Sequence, residues 1–170
     1  IKSISSNLVL FFEVGPERFA EMLVEKLRDL ERKGKVRVRV KGRTKEVKVV
    51  KAFRVHVAGD FFSKDYIRMW KIVIESLPDW PIWTYTRSYL IPELKPLLEE
   101  LKEFPNFVLY ASTDPDTGPP PEGWLEACCV DTKYKPGFKP YTKTVRCLEE
   151  TRGLTCKAVS YTHLRAHETS

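Results

Sequence analysis

No apolar run in this 170-residue chain approaches the roughly 20 residues that a membrane-spanning helix needs. The N-terminal stretch Ile1–Asn7 also lacks the basic-then-apolar pattern of a secretory leader. Cysteine is scarce: there are four, two of them adjacent, which is a poor disulfide framework for a chain of this size. Histidine is scarcer still, with three, and two of those lie in the last eight residues. An initiator methionine is missing, the first Met being Met22, so an upstream segment is expected before Ile1. The signature of disorder is absent as well, since 42% of the residues are apolar and 12% aromatic, with a mean hydropathy of −0.34. What is present is enough chain to bury one core, expected as a single domain over residues 1–158 of a cytoplasmic protein.

The hydrophobic periodicity then orders the chain. Pro16 to Lys33 places Phe19, Met22, Leu23, Leu27 and Leu30 at helical spacing, with Pro16 in the first turn and Gly34 where a C-cap belongs. From Lys35, valines at 36, 38 and 40 alternate with basic residues, Gly42 turns the chain, and Glu46–Val50 returns. This predicts a hairpin over 35–50 with an apolar and a basic face. Strands are then expected over Phe53–Phe62, Pro81–Tyr89, Asn106–Ser112 and Leu125–Val130. Helices over Ser63–Ser76 and Pro92–Phe104 separate the first three. Helix-length connections imply parallel neighbours with right-handed crossovers. The expected fold is therefore α/β: a partial (β/α) barrel or an open parallel sheet of about four strands, with flanking helices and an inserted antiparallel hairpin.

In such sheets ligands sit beyond the C-terminal strand ends, and three of those ends carry polar clusters. His56, Gly59, Asp60 and Ser63 follow the first strand. Thr84, Thr86, Arg87 and Ser88 mark the second, and Ser112, Thr113, Asp114 and Asp116 the third. His56, Asp60, Arg87 and Asp114 are the candidates for chemistry: an imidazole, two acceptors, and a guanidinium fork suited to a carboxylate or phosphate. Gly59, Asp60, Thr86, Ser88 and Ser112 are the candidates for holding a cofactor, Gly59 because a bare backbone allows close approach. The competing readings are structural. His56 can be a satisfied core histidine, Arg87-Ser88 a helix cap, and Asp114-Pro115-Asp116-Thr117-Gly118 plain turn chemistry.

The segments HVAGDFFS (His56–Ser63), YTRS (Tyr85–Ser88) and STDPDTG (Ser112–Gly118), at this helix-separated spacing, resemble the phage gene product 88 family over about residues 1–158. That resemblance implies a phage protein of a family without an assigned function, located in the host cytoplasm. The same order resembles the middle of a radical S-adenosylmethionine barrel, in which a Gly-Gly-Glu strand end contacts the cofactor's amino group. Ala58-Gly59-Asp60 stands in its place here, one Gly short and with a shorter acid. The second resemblance implies an iron–sulfur cluster and S-adenosylmethionine in the full-length protein, with most cluster ligands outside this chain. The gene product 88 resemblance also implies a C-terminal Cys cluster, in which Cys147 and Cys156 would bind a metal as half of the about four ligands a thiolate site takes; the competing reading is two ordinary cysteines. Residues 159–170, VSYTHLRAHETS, resemble a translated sequencing-library adapter and are expected to be a non-native tail.

Charge supplies the alternative. From Arg32 to Lys51 there are ten basic residues and one acid, Glu46, so this stretch carries +9 while the whole chain carries +6. The pI of 9.1 is thus the property of one hairpin. Arg37, Arg39, Lys41 and Arg43 are the candidates for contacting a nucleic-acid backbone. The bland alternative is a solvated hairpin whose charges keep its edges from aggregating.

Overall fold

The computed structural model describes residues 2–40, 42–56, 59–128 and 139–142. It divides into two compact units, residues 1–111 and 112–170. The first opens with two helices, α1 (Lys2–Val14) and α2 (Pro16–Lys33). Gly15 (φ +83°) separates them, and Pro16 begins α2 where its missing N–H costs nothing. Gly34 closes α2 in the left-handed conformation, its N–H reaching the carbonyls of Leu30 and Glu31.

Strands β1 (Lys35–Val40) and β2 (Arg43–Lys48) form the expected antiparallel hairpin as a separate two-stranded sheet. Outside itself the hairpin packs chiefly against α2. The second sheet has the strand order β3-β4-β5-β6: β3 (Phe53–Arg54), β4 (Ile82–Thr86), β5 (Phe107–Thr113) and β6 (Leu125–Cys128). β3 pairs β4 and β4 pairs β5 in parallel, as crossovers through α3 (Lys64–Ser76) and α4 (Lys95–Lys102) require. This is the α/β class expected from the sequence.

Several elements differ from expectation, among them the second parallel strand, which ends at Thr86, and the return strand of the hairpin, which runs Arg43–Lys48. The first strand is short: only Phe53 and Arg54 pair in full, with one further bond from the Val55 N–H to the Trp83 carbonyl. The helix expected from Pro92 starts at Lys95, because Ser88–Leu90 first makes a 3₁₀ turn and Ile91 accepts from Leu94 and Lys95. A helix also forms over Lys2–Val14, where the sequence suggested none. Its Phe11 is buried edge-on against Phe19, Phe62 and Tyr66. The Ser63 hydroxyl caps α3 as expected, accepting from the Tyr66 N–H at 3.1 Å.

Side chains of β4 and β5 alternate. Ile82, Thr84, Thr86, Phe107, Leu109 and Ala111 are buried, and Trp70 of α3 lies over Phe53 on that same face (centroids 5.8 Å). Trp83, Tyr85, Val108 and Tyr110 line the opposite face and stay partly exposed. At the N-terminal edge of the strands, Asp79 precedes β4 and receives Arg28 (2.9 Å) and Lys51, which also pairs with Glu31 (2.7 Å). Hydrogen bonds from Arg28 and Lys51 hold the Asp79 carboxyl well below the usual carboxylate range. This network ties the base of the hairpin to the loop between α3 and β4.

Candidate functional site

Two of the three expected strand-end clusters close on each other, and Asp60 joins them. Its Oδ1 accepts from the Phe61 N–H (2.7 Å) and the Thr86 hydroxyl (2.5 Å), and its Oδ2 accepts from the Arg87 N–H (2.6 Å). The Thr86 oxygen in turn accepts from the Ser88 N–H at 2.9 Å, and the Ser88 hydroxyl donates to the Phe61 carbonyl at 2.7 Å. Thr86 and Ser88 are 1% and 4% exposed. The cluster is thus a latch between the β3 and β4 ends. Gly59 enters it at φ +90° with open space around the position of a Cβ, so the turn needs its backbone freedom and not its small size.

His56 lies beneath this latch. Nδ1 is 3.2 Å from the Thr84 hydroxyl and Nε2 is 3.2 Å from the Tyr66 hydroxyl, so a neutral ring donating at one nitrogen and accepting at the other is satisfied. Burial pushes its pKa below the usual histidine value. The Asp60 charge opposes that shift and the Arg54 charge adds to it. Burial likewise raises the pKa of Tyr66.

Ser112 and Asp114 belong to the second unit. There the Asp114 Oδ1 accepts from the N–H groups of Asp116 (2.9 Å) and Thr117 (3.0 Å), which is the Asx geometry of a turn. The same unit holds a residue that sequence reasoning missed. The buried Glu126 receives the Thr113 hydroxyl (2.5 Å), the Tyr141 N–H (3.1 Å), and the N–H and hydroxyl of Thr142 (2.6 and 2.7 Å). Burial alone would raise its pKa, but these donors outweigh burial and hold it below the usual value.

Asp60, the acid that the barrel resemblance sets at the cofactor's amino group, accepts here from the Phe61 and Arg87 N–H groups and the Thr86 hydroxyl of its own chain. Among the described residues no three His, Cys, Asp or Glu side chains are grouped as metal ligands. Cys147, Cys156 and residues 159–170 lie outside the described residues.

The hairpin presents its charges on two faces. The register sets Lys35 opposite Lys48, Arg37 opposite Glu46 and Arg39 opposite Thr44 on one face. Val36 and Val38 share the other with Val47, Lys45 and Arg43. Arg37 and Arg39 therefore form one stripe and Arg43 sits on the reverse face, so the expected four-residue set is not continuous. Lys41 lies outside the described residues. Lys35 pairs with Glu46 at 2.8 Å. Arg37, Arg39, Arg43, Lys45 and Lys48 are exposed, and none has an ion-pair partner among the described residues. Because the hairpin base is tied to the N-terminal edge of the strands and the Asp60 latch sits at the C-terminal edge, these two candidate sites are separate.

Comparison with known proteins follows the same residues. The gene product 88 family profile matches residues 4–133. The Gene 88 protein of Mycobacterium phage L5 is 29% identical over 139 residues, covering 79% of this chain and 51% of its own length. The Gene 88 protein of Mycobacterium phage D29 is 34% identical over 106 residues, covering 60% and 42%. The chain thus spans about half or less of the curated relatives it matches. No solved structure matches it.

Proposed function

The chain belongs to the gene product 88 family of phage proteins, and on that premise we propose that it binds nucleic acid through the β1–β2 hairpin. One observation carries this reading: a two-stranded arm with five exposed cations that no described carboxylate neutralises. Where cations serve only to solvate a surface, acids tend to be interspersed, as they are on α2, where Asp29 pairs with Lys33. On one hairpin face Arg37 and Arg39 stand about 6.8 Å apart along the strand, two residues of antiparallel rise. Both guanidiniums lie on one face and can meet neighbouring phosphates of one backbone, contacts that position a protein without reading sequence. The place of action would be the host cytoplasm.

Binding of a labelled DNA duplex at low salt tests this, comparing the parent with Arg37→Ala/Arg39→Ala. The reading expects clear loss in the variant, and equal binding by the two proteins would overturn it.

An S-adenosylmethionine-dependent iron–sulfur activity has less to stand on. Its expected acid, Asp60, is engaged by Thr86 and Arg87, and its expected thiolates are outside the described residues. No chemical step is assigned to either group.

A further inference from the structure

Arg54 is half-buried on the partly exposed face of the sheet, where the β3–β4 register sets it beside Trp83. Its guanidinium carbon lies 4.9 Å from the centroid of the Tyr85 ring. Its Nε is sealed from solvent and has no hydrogen-bond partner, and no described carboxylate pairs with the group. A guanidinium Nε–H withdrawn from water without an acceptor is unfavourable, and a bound anion would offset that. Around it the face is aromatic. Tyr85 and Tyr110 are register partners with centroids 5.3 Å apart at 34°. Burial, and then the neighbouring Tyr85, push the Tyr110 phenol up to about 12, so it remains a protonated donor at neutral pH.

Flat rings beside a guanidinium whose Nε lacks an acceptor suit a ligand that joins a planar heterocycle to a phosphate. We propose that the face formed by Arg54, Trp83, Tyr85 and Tyr110 receives a nucleotide of a single strand, its base against the aromatic rings and its phosphate on Arg54. The inference rests on the nucleic-acid reading above and adds strand type to it: bases stacked within a duplex cannot lie flat on a sheet, whereas unpaired bases can. The hairpin and this face are within reach of one strand, since Lys48 and Phe53 are five residues apart, at most about 18 Å of chain.

The test measures binding of a 12-nucleotide single-stranded DNA, its duplex and adenosine monophosphate. Four proteins are compared: the parent chain, Arg54→Met, Tyr85→Ala and Arg37→Ala/Arg39→Ala. The parent should prefer the single strand. Arg54→Met and Tyr85→Ala should each weaken single-strand binding, Tyr85→Ala by about 5- to 150-fold, the usual effect of removing a stacking ring. Both should leave duplex binding unchanged. Arg54→Met should also unfold at the same or a higher urea concentration, which a merely structural arginine would not allow. Parental single-strand affinity in both variants would overturn the inference, while loss of duplex binding in the hairpin variant would keep the hairpin reading intact. Arg54-dependent binding of adenosine monophosphate as tight as that of the 12-mer would assign the face to a free nucleotide and overturn the single-strand occupant. If the parent binds neither strand nor duplex, the hairpin reading fails and this inference falls with it.

Discussion

Replacing Thr86 by Val removes one hydroxyl from the latch and leaves its shape. Two interactions go at once: the 2.5 Å bond to Asp60 and the acceptor of the Ser88 N–H. A hydrogen bond to a charged group contributes about 1.5–3 kcal/mol, and the lower end applies because Asp60 is only half-buried. A buried N–H left without an acceptor costs about 1–3 kcal/mol more. Thr86→Val should therefore cost about 3 kcal/mol, a large part of the about 5–15 kcal/mol that folds a domain. Asp60→Asn keeps an acceptor for Thr86 but can turn an amide donor toward the Arg87 N–H, costing about 2 kcal/mol. Because both changes act on the same Asp60–Thr86 contact, Thr86→Val by removing it and Asp60→Asn by removing its charge, the double variant should lose less than the sum, by about 1 kcal/mol. Urea unfolding of the four proteins measures this, provided the denaturant slopes agree. Losses that add to within about 0.5 kcal/mol would refute the latch as a coupled unit.

Three further outcomes follow from the same geometry. The folded-state pKa of His56 lies below the unfolded value of about 6.5, so folded protein binds fewer protons. Its contribution to stability is complete above about pH 6.5 and declines below it until the folded pKa is passed. The urea midpoint should then fall between pH 7.5 and 5.5 in the parent and stay flat in His56→Gln; equal slopes would refute the assignment. Gly59→Ala meets no atom but must adopt φ +90°, which should cost about 1–2 kcal/mol in the same assay, and no loss would contradict the turn geometry. Glu126→Gln turns an amide donor toward at least one of the four donors that now point at the carboxylate, so the Thr142 amide should exchange with solvent faster; an unchanged rate would contradict the clamp.

Much of the fold could be read from the sequence because its signals are local. The α2 periodicity, the Ser63 cap and the alternating valines of the hairpin each act over a few residues. α1 escaped because Ile1–Asn7 carries only two apolar residues, Ile1 and Ile4, and the packing of Phe11 against Phe19 and Tyr66 is a tertiary event. The strand-end rule found Asp60, Thr86, Arg87 and Ser88 together, but periodicity does not say where a carboxylate turns, and here it turns inward onto its own chain. Asp114 turned into its own loop, the turn reading that its Pro and Gly neighbours already allowed. Glu126 and Arg54 carried no signal at all. The donors of the first come from Thr113 and from residues 15 and 16 positions on, and the isolation of the second depends on what the fold leaves unpaired.

The salt dependence of duplex binding tests the central claim most directly. Each phosphate contact contributes about −0.9 to the slope of log K against log salt on B-form DNA. Between 50 and 200 mM salt the parent should show a steep negative slope, and Arg37→Ala/Arg39→Ala should flatten it by about 1.8. An unchanged slope in the variant, or no binding by the parent at 50 mM, would contradict a hairpin that holds nucleic acid by its backbone.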